Sequence, residues 1–165
     1  MVKRVKGASA AGRLLVAGVP TLALLLPWAA ESADATLSPQ VLAMLPAVTL
    51  DVSFATGKGP VHARFAGPLL WAVLVKDGAV DPGKPRRQAG QTILVTGQDG
   101  YAAALAVGEI SPDFEGKSVI LAESMNAQPL GSSHLRLVIP GDAKGARDVR
   151  NVVRVTVSDP AAGPR

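Results

Sequence analysis

The sequence predicts an α+β domain built on a mixed, mostly antiparallel β-sheet with short helices. Three observations carry that expectation. About six runs read as strands, three of them with apolar residues at a period of two, two or three short segments carry helix-start signals, and no regular strand-helix-strand alternation links them. With 165 residues, 48% hydrophobic and 18% charged, the chain has the apolar material of one packed domain and too little length for two.

The N-terminus reads as a leader rather than as part of that domain. Lys3, Arg4, Lys6 and Arg13 precede the apolar run LLVAGVPTLALLL, residues 14–26, and Ala33-Asp34-Ala35 offers a small-residue cleavage site before Thr36. Residues 1–35 are therefore expected to be a secretory signal peptide, residues 36–160 the exported domain, and residues 161–165 a disordered tail. The apolar run is short for a membrane span and is broken by Gly18 and Pro20. The expected location is thus the periplasm or the medium, with no stable membrane association after cleavage.

Losing the leader removes four Lys/Arg and two Asp/Glu, leaving thirteen basic residues against eleven acidic ones. Such a nearly neutral surface, with one Trp, one Tyr and three Phe in residues 36–165, does not suit nucleic acid. The absence of cysteine excludes disulfides, thiolate metal ligands and cysteine nucleophiles.

Along the domain, Ser38-Pro39 reads as an N-cap followed by Pro at the first helical position, with Val41, Leu42 and Leu45 on one face and Pro46 as the stop. Val48, Leu50, Val52 and Phe54 then alternate as a strand, closed by TGKG at residues 56–59. Residues 67–76, GPLLWAVLVK, place Leu70, Val73 and Leu74 at helical spacing. Residues 81–91, rich in Pro and Gly, read as a mobile loop. TILVTGQDGYAAALA reads as a hairpin turning at Gln98-Asp99-Gly100, and SVILAES as a further strand. After the loop MNAQPLGSS, the last two strands carry Leu135, Leu137 and Ile139, then Val153, Val155 and Val157.

Few residues suggest chemistry. His62 and His134 form no H-x-H or H-x-x-x-H pair and read as surface residues. Ser132-Ser133-His134 lacks the G-x-S-x-G setting of a nucleophile. The remaining feature is Arg147 and Arg150 between the last two strands. Three residues apart on one helical turn, they would share a face and grip an oxyanion, with Gly141 and Gly145 allowing close backbone approach. The alternative is a solvated turn partly paired by Asp142 and Asp148.

The order of motifs from Leu45 to Val157 resembles the molybdopterin-binding domain of the sulfite-oxidase-like oxidoreductases, most closely its small secreted stand-alone members. The matching pieces are Thr56-Gly57-Lys58-Gly59, Phe65-Ala66-Gly67-Pro68-Leu69-Leu70, Val95 to Tyr101 with its Asp-Gly-Tyr turn, and Leu121-Ala122 through Gln128-Pro129-Leu130 with Ala127 in place of Gly. Leu135 to Gly141 (L-R-L-V-x-P-G) and Gly145 to Val152 complete the series. The resemblance implies that Arg147, Arg150 and Gly145 contact the cofactor's phosphate and pterin. It also implies a molybdenum-ligating cysteine, a soft sulfur donor that this sequence does not have.

The sequence thus leaves enzyme activity open and supports three functions. The first is a degenerate domain that binds a pterin cofactor or another small anion. The second is an active periplasmic molybdenum oxidoreductase with a non-cysteine metal ligand. The third is a ligand-free extracytoplasmic interaction or sensor module with a protein partner. The leader shows Lys3-Arg4 rather than an Arg-Arg pair, which suits export before folding and not with a bound cofactor.

Overall fold

The computed structural model describes residues 31–131 and 134–159. Its architecture is α+β, and every pairing between named strands is antiparallel. The elements in order are β1 (Glu31–Asp34), α1 (Pro39–Ala43), β2 (Ala47–Thr56), β3 (Gly59–Pro68), α2 (Leu70–Lys76), α3 (Pro85–Gln88), β4 (Thr92–Gly97) and β5 (Ala102–Ala106). They continue with α4 (Val107–Ile110), β6 (Ile120–Ala122), β7 (Ser124–Met125), β8 (Gln128–Pro129), β9 (Arg136–Val138), a 3-10 turn (Gly145–Arg147) and β10 (Val152–Asp159). One four-stranded sheet has the order β1-β10-β4-β5, a second β2-β3-β7-β8, and β6 pairs with β9 between them.

The leader's apolar run and the tail at 161–165 lie outside the described residues. Residues 31–35 do not. Glu31–Asp34 pairs with β10 from Glu31 opposite Asp159 to Asp34 opposite Thr156, the Ala35 amide donates to Val155 O at 2.8 Å, and Ala35 packs in the core.

Several expected elements form for the expected reasons. Ser38 Oγ accepts from the Val41 amide at 3.3 Å and Pro39 opens α1. Gly100 turns the β4-β5 hairpin at φ 81°, and Asp99 Oδ1 accepts from the Tyr101 amide at 3.0 Å. Strand β3 is an addition. Val61, Ala63 and Phe65 point inward while His62 and Arg64 point out, and the strand runs through Gly67-Pro68, so α2 starts only at Leu70. The loop at 81–91 contains α3, which buries Gln88. Its Nε2 donates to Asp81 O at 2.9 Å and its Oε1 accepts from Ser111 Oγ at 2.6 Å, so two hydrogen bonds pin a segment expected to be mobile.

The run expected as the loop MNAQPLGSS begins with the small β7-β8 hairpin, whose turn residues Asn126 and Ala127 sit at φ 50° and 63°. Two successive positive φ values are what a two-residue hairpin turn requires. Ala127 adopts that left-handed conformation at a cost of about 1–2 kcal/mol that glycine would not incur.

Two cores result. The larger packs α2 (Leu70, Val73, Leu74) against the inner faces of β4, β5 and β10. The smaller gathers Val52, Phe54, Ala63 and Phe65 from the β2-β3 hairpin. Strands β6 and β9 divide them: Leu121 and Leu137 face the larger core, while Ile120, Ala122 and Val138 face the smaller one. With both faces covered, all six positions of this pair are buried, including Arg136.

Candidate functional site

The β9-β10 connection, residues 139–151, holds the residues that the sequence singled out, and three features position it. Tyr101 donates its hydroxyl to Ala146 O. The Leu137 amide donates to Val149 O and the Val152 amide to Leu135 O, each at 2.9 Å. Gly145 packs flat against Phe54, where an added Cβ would come within 2.7 Å of the ring.

Arg147 closes the 3-10 turn and directs its guanidinium at two carboxylates. Nε and Nη2 form a fork with Asp142 at 3.0 and 2.7 Å, and Nη1 reaches Glu109 Oε2 at 3.1 Å. Glu109 is the third residue of α4. Its other oxygen accepts from the Ala106 amide at 3.0 Å, and Lys117 Nζ lies 3.7 Å from Oε2. The arrangement ties the β9-β10 connection to the start of α4, and Arg147 is about one-third exposed.

The electrostatics agree with the geometry. The hydrogen-bonded Asp142 holds the Arg147 guanidinium well above its ordinary value, against partial burial, and Glu109 adds to the effect. For Glu109, burial alone would raise the carboxyl, but the Ala106 amide together with Arg147 and Lys117 brings it below its ordinary value of 4.5. A depressed carboxyl contributes stability that is complete above the unfolded value and is lost as pH falls through the folded one. Stability should therefore decline as pH drops below 4.5, and Glu109→Gln should remove part of that decline. Urea denaturation of both proteins between about pH 3 and pH 6 measures it.

Arg150 does not join Arg147. The 3-10 turn ends at Arg147, Asp148 departs from helical geometry at ψ 90°, and Asn151 sits at φ 49°. Arg150 is exposed, with no hydrogen bond or ion pair among the described residues. Asp148 pairs with neither arginine considered from sequence. Its carboxylate takes a two-point bond from buried Arg136, whose guanidinium carbon stacks 4.9 Å from the Phe65 ring centroid. Of the turn's two acids, Asp142 is the one that pairs with Arg147.

Gly145 lies elsewhere, in a cleft of about 460 Å3 lined by Ala55, Thr56, Gly57, Lys144, Gly145 and Ala146. This cleft joins two motifs that are distant in sequence, the TGKG turn and the Gly145 turn. They meet because Ala55 bridges to Lys144 and the Ala55 amide donates to Ala143 O at 3.0 Å. Thr56 Oγ1 donates to Gly59 O at 2.7 Å and accepts from the Lys58 amide at 3.1 Å, which holds the turn. Lys144 and Lys58 are exposed and have no carboxylate partner among the described residues. Sequence reasoning missed Lys144, which carries no motif of its own.

Ser132 and Ser133 lie outside the described residues. His62 hydrogen-bonds Ser53 across the β2-β3 hairpin. Among the described residues no group of three or more His, Cys, Asp or Glu is arranged to hold a metal ion, and no helix is long and apolar enough to cross a membrane. No protein-family model matches the chain, and no curated protein matches its sequence.

Proposed function

We propose that the chain is an exported domain of the sulfite-oxidase-like molybdopterin-binding type that lacks the molybdenum-ligating cysteine and binds a small anion, a pterin phosphate or a simpler oxyanion. The observation that carries this reading is the cleft beside Gly145, where Lys144 and, on the adjoining turn, Lys58 supply positive charge that no carboxylate among the described residues neutralises.

Arg147 is a poor seat for that anion. Its Nε, Nη2 and Nη1 are already taken by Asp142 and Glu109, so a phosphate would have to displace carboxylates that supply the same charge-assisted hydrogen bonds, with no net gain. The residues do not fit the molybdenum group either. No thiolate exists in the sequence, and the described residues offer no alternative ligand cluster. A periplasmic or secreted location remains part of the proposal and rests on the leader.

Calorimetric titration with inorganic phosphate and with a pterin monophosphate tests the reading. Saturable binding is expected, weakened by about tenfold in Lys144→Ala, as for the loss of one charge-assisted hydrogen bond. The internal pairing of Arg147 favours a second reading, an interaction module with a protein partner and no ligand, which absent binding of both probes would support. Near-stoichiometric molybdenum in protein from the exported fraction would instead restore the oxidoreductase reading.

A further inference from the structure

A second cleft, of about 520 Å3, opens on the outer face of the β2-β3 hairpin, away from the Gly145 turn. Asp51, Ser53, His62, Arg64 and Asn126 line it. The register sets Ser53 opposite His62 and Asp51 opposite Arg64, so four polar side chains that alternate with the core positions come together on one face. Ser53 Oγ and His62 Nδ1 lie 2.6 Å apart. Arg64 Nε and Nη2 grip Asp51 at 2.9 and 3.3 Å, and its Nη1 makes no hydrogen bond among the described residues. The β7-β8 turn walls the cleft: the Arg64 amide donates to Asn126 Oδ1 at 3.0 Å and the Asn126 amide to Arg64 O at 2.7 Å.

A serine within hydrogen-bond reach of an imidazole nitrogen has the geometry of a nucleophile and its base. We propose that Ser53 and His62 form a nucleophilic dyad that hydrolyses small activated carboxylic esters. Ser53 Oγ attacks the carbonyl carbon while its proton passes to His62 Nδ1, and the carbonyl electron pair moves to oxygen. Collapse breaks the bond to the leaving oxygen, which takes the proton from His62, and leaves an acyl-serine. Water, deprotonated by the same nitrogen, then releases the carboxylic acid and restores the hydroxyl. Asp51 neutralises Arg64, so the cleft suits uncharged esters, and its openness suits leaving groups good enough to need little protonation.

The test is acylation of the full chain by 4-nitrophenyl acetate and labelling by an alkyl fluorophosphonate, with the modified residue located by mass spectrometry. The expected result is a label on Ser53, absent in Ser53→Ala, with acylation slowed by about 100-fold in His62→Gln. Glutamine can keep a cross-strand hydrogen bond to Ser53 but is no base, so a merely structural pair would leave the rate unchanged. No label, a label elsewhere, or an unchanged rate in His62→Gln overturns the proposal. Circular dichroism of each variant separates loss of the dyad from loss of the fold.

Discussion

Arg136→Leu is expected to destabilise the domain by about 3–5 kcal/mol, because it strands a buried carboxylate. Arg136 and Asp148 expose only 11% and 9% of their side chains, and each supplies the other's counter-charge. The guanidinium also covers the Phe65 ring and approaches Met125 Sδ at 3.8 Å, so it joins β9 to the smaller core as well as to the β9-β10 connection. Without it, Asp148 must take up a proton or drag its loop into water. Replacing both partners, Arg136→Leu with Asp148→Leu, should cost much less than the single change, since a buried pair exchanged for apolar groups is often nearly neutral. Chemical denaturation of the two single variants and the double variant measures the coupling directly.

The second large effect is expected at Gly67. A Cβ there would lie 2.0 Å from Leu121 O and 2.8 Å from Ala122 Cα, and backbone atoms cannot swing away as a side chain does. Gly67→Ala therefore has to separate β3 from β6, at a cost of about 3 kcal/mol or more. This seam carries hydrogen bonds from the Glu123 amide to Ala66 O and from the Leu70 amide to Val119 O, so the damage spreads into both cores. Gly57→Ala is the control. Nothing lies within 4 Å of its Cβ position, and its effect should stay within about 0.5 kcal/mol in the same denaturation experiment.

Much of the fold was legible where local chemistry decides it. The Ser38 cap, the Gly100 turn and the alternation in β2 follow from residues within one element. Strand β10 departs from its expected pattern: a bulge between Val152 and Arg154 buries Val152 and leaves Val153 exposed, so only Val155 and Val157 of the expected inner positions face the core. Strand β3 was masked by its punctuation. Gly59-Pro60 and Gly67-Pro68 bracket it, and the second pair imitates a helix start until the Leu121 backbone is seen packed on Gly67. Arg136 was illegible for a different reason. A period of two in Leu135, Leu137 and Ile139 assigns the alternate positions to solvent, but Phe65 and its neighbours cover that face too.

The candidate site divides in the same way. The pairing of Arg147 with Asp142 spans five residues and was visible as an option, whereas the bond to Glu109 spans 38 and depends on how α4 docks. The Ser53-His62 contact needed the hairpin register, which no local pattern gives. Arg147 and Arg150 read as a pair only on the assumption of a continuous helical turn, and the turn stops at Arg147.

On the proposed function an anion sits between the TGKG turn and the Gly145 turn, with Arg147 kept for Asp142 and Glu109. The most direct measurement is a titration of the 15N-labelled domain with inorganic phosphate, followed through its backbone amide resonances. Saturable shifts are expected at Gly57, Gly145 and Ala146, weaker in Lys144→Ala, while the guanidinium resonances of Arg147 stay unchanged. Saturable shifts centred on Arg147 and Arg150, or no saturable shift in the cleft, would contradict it.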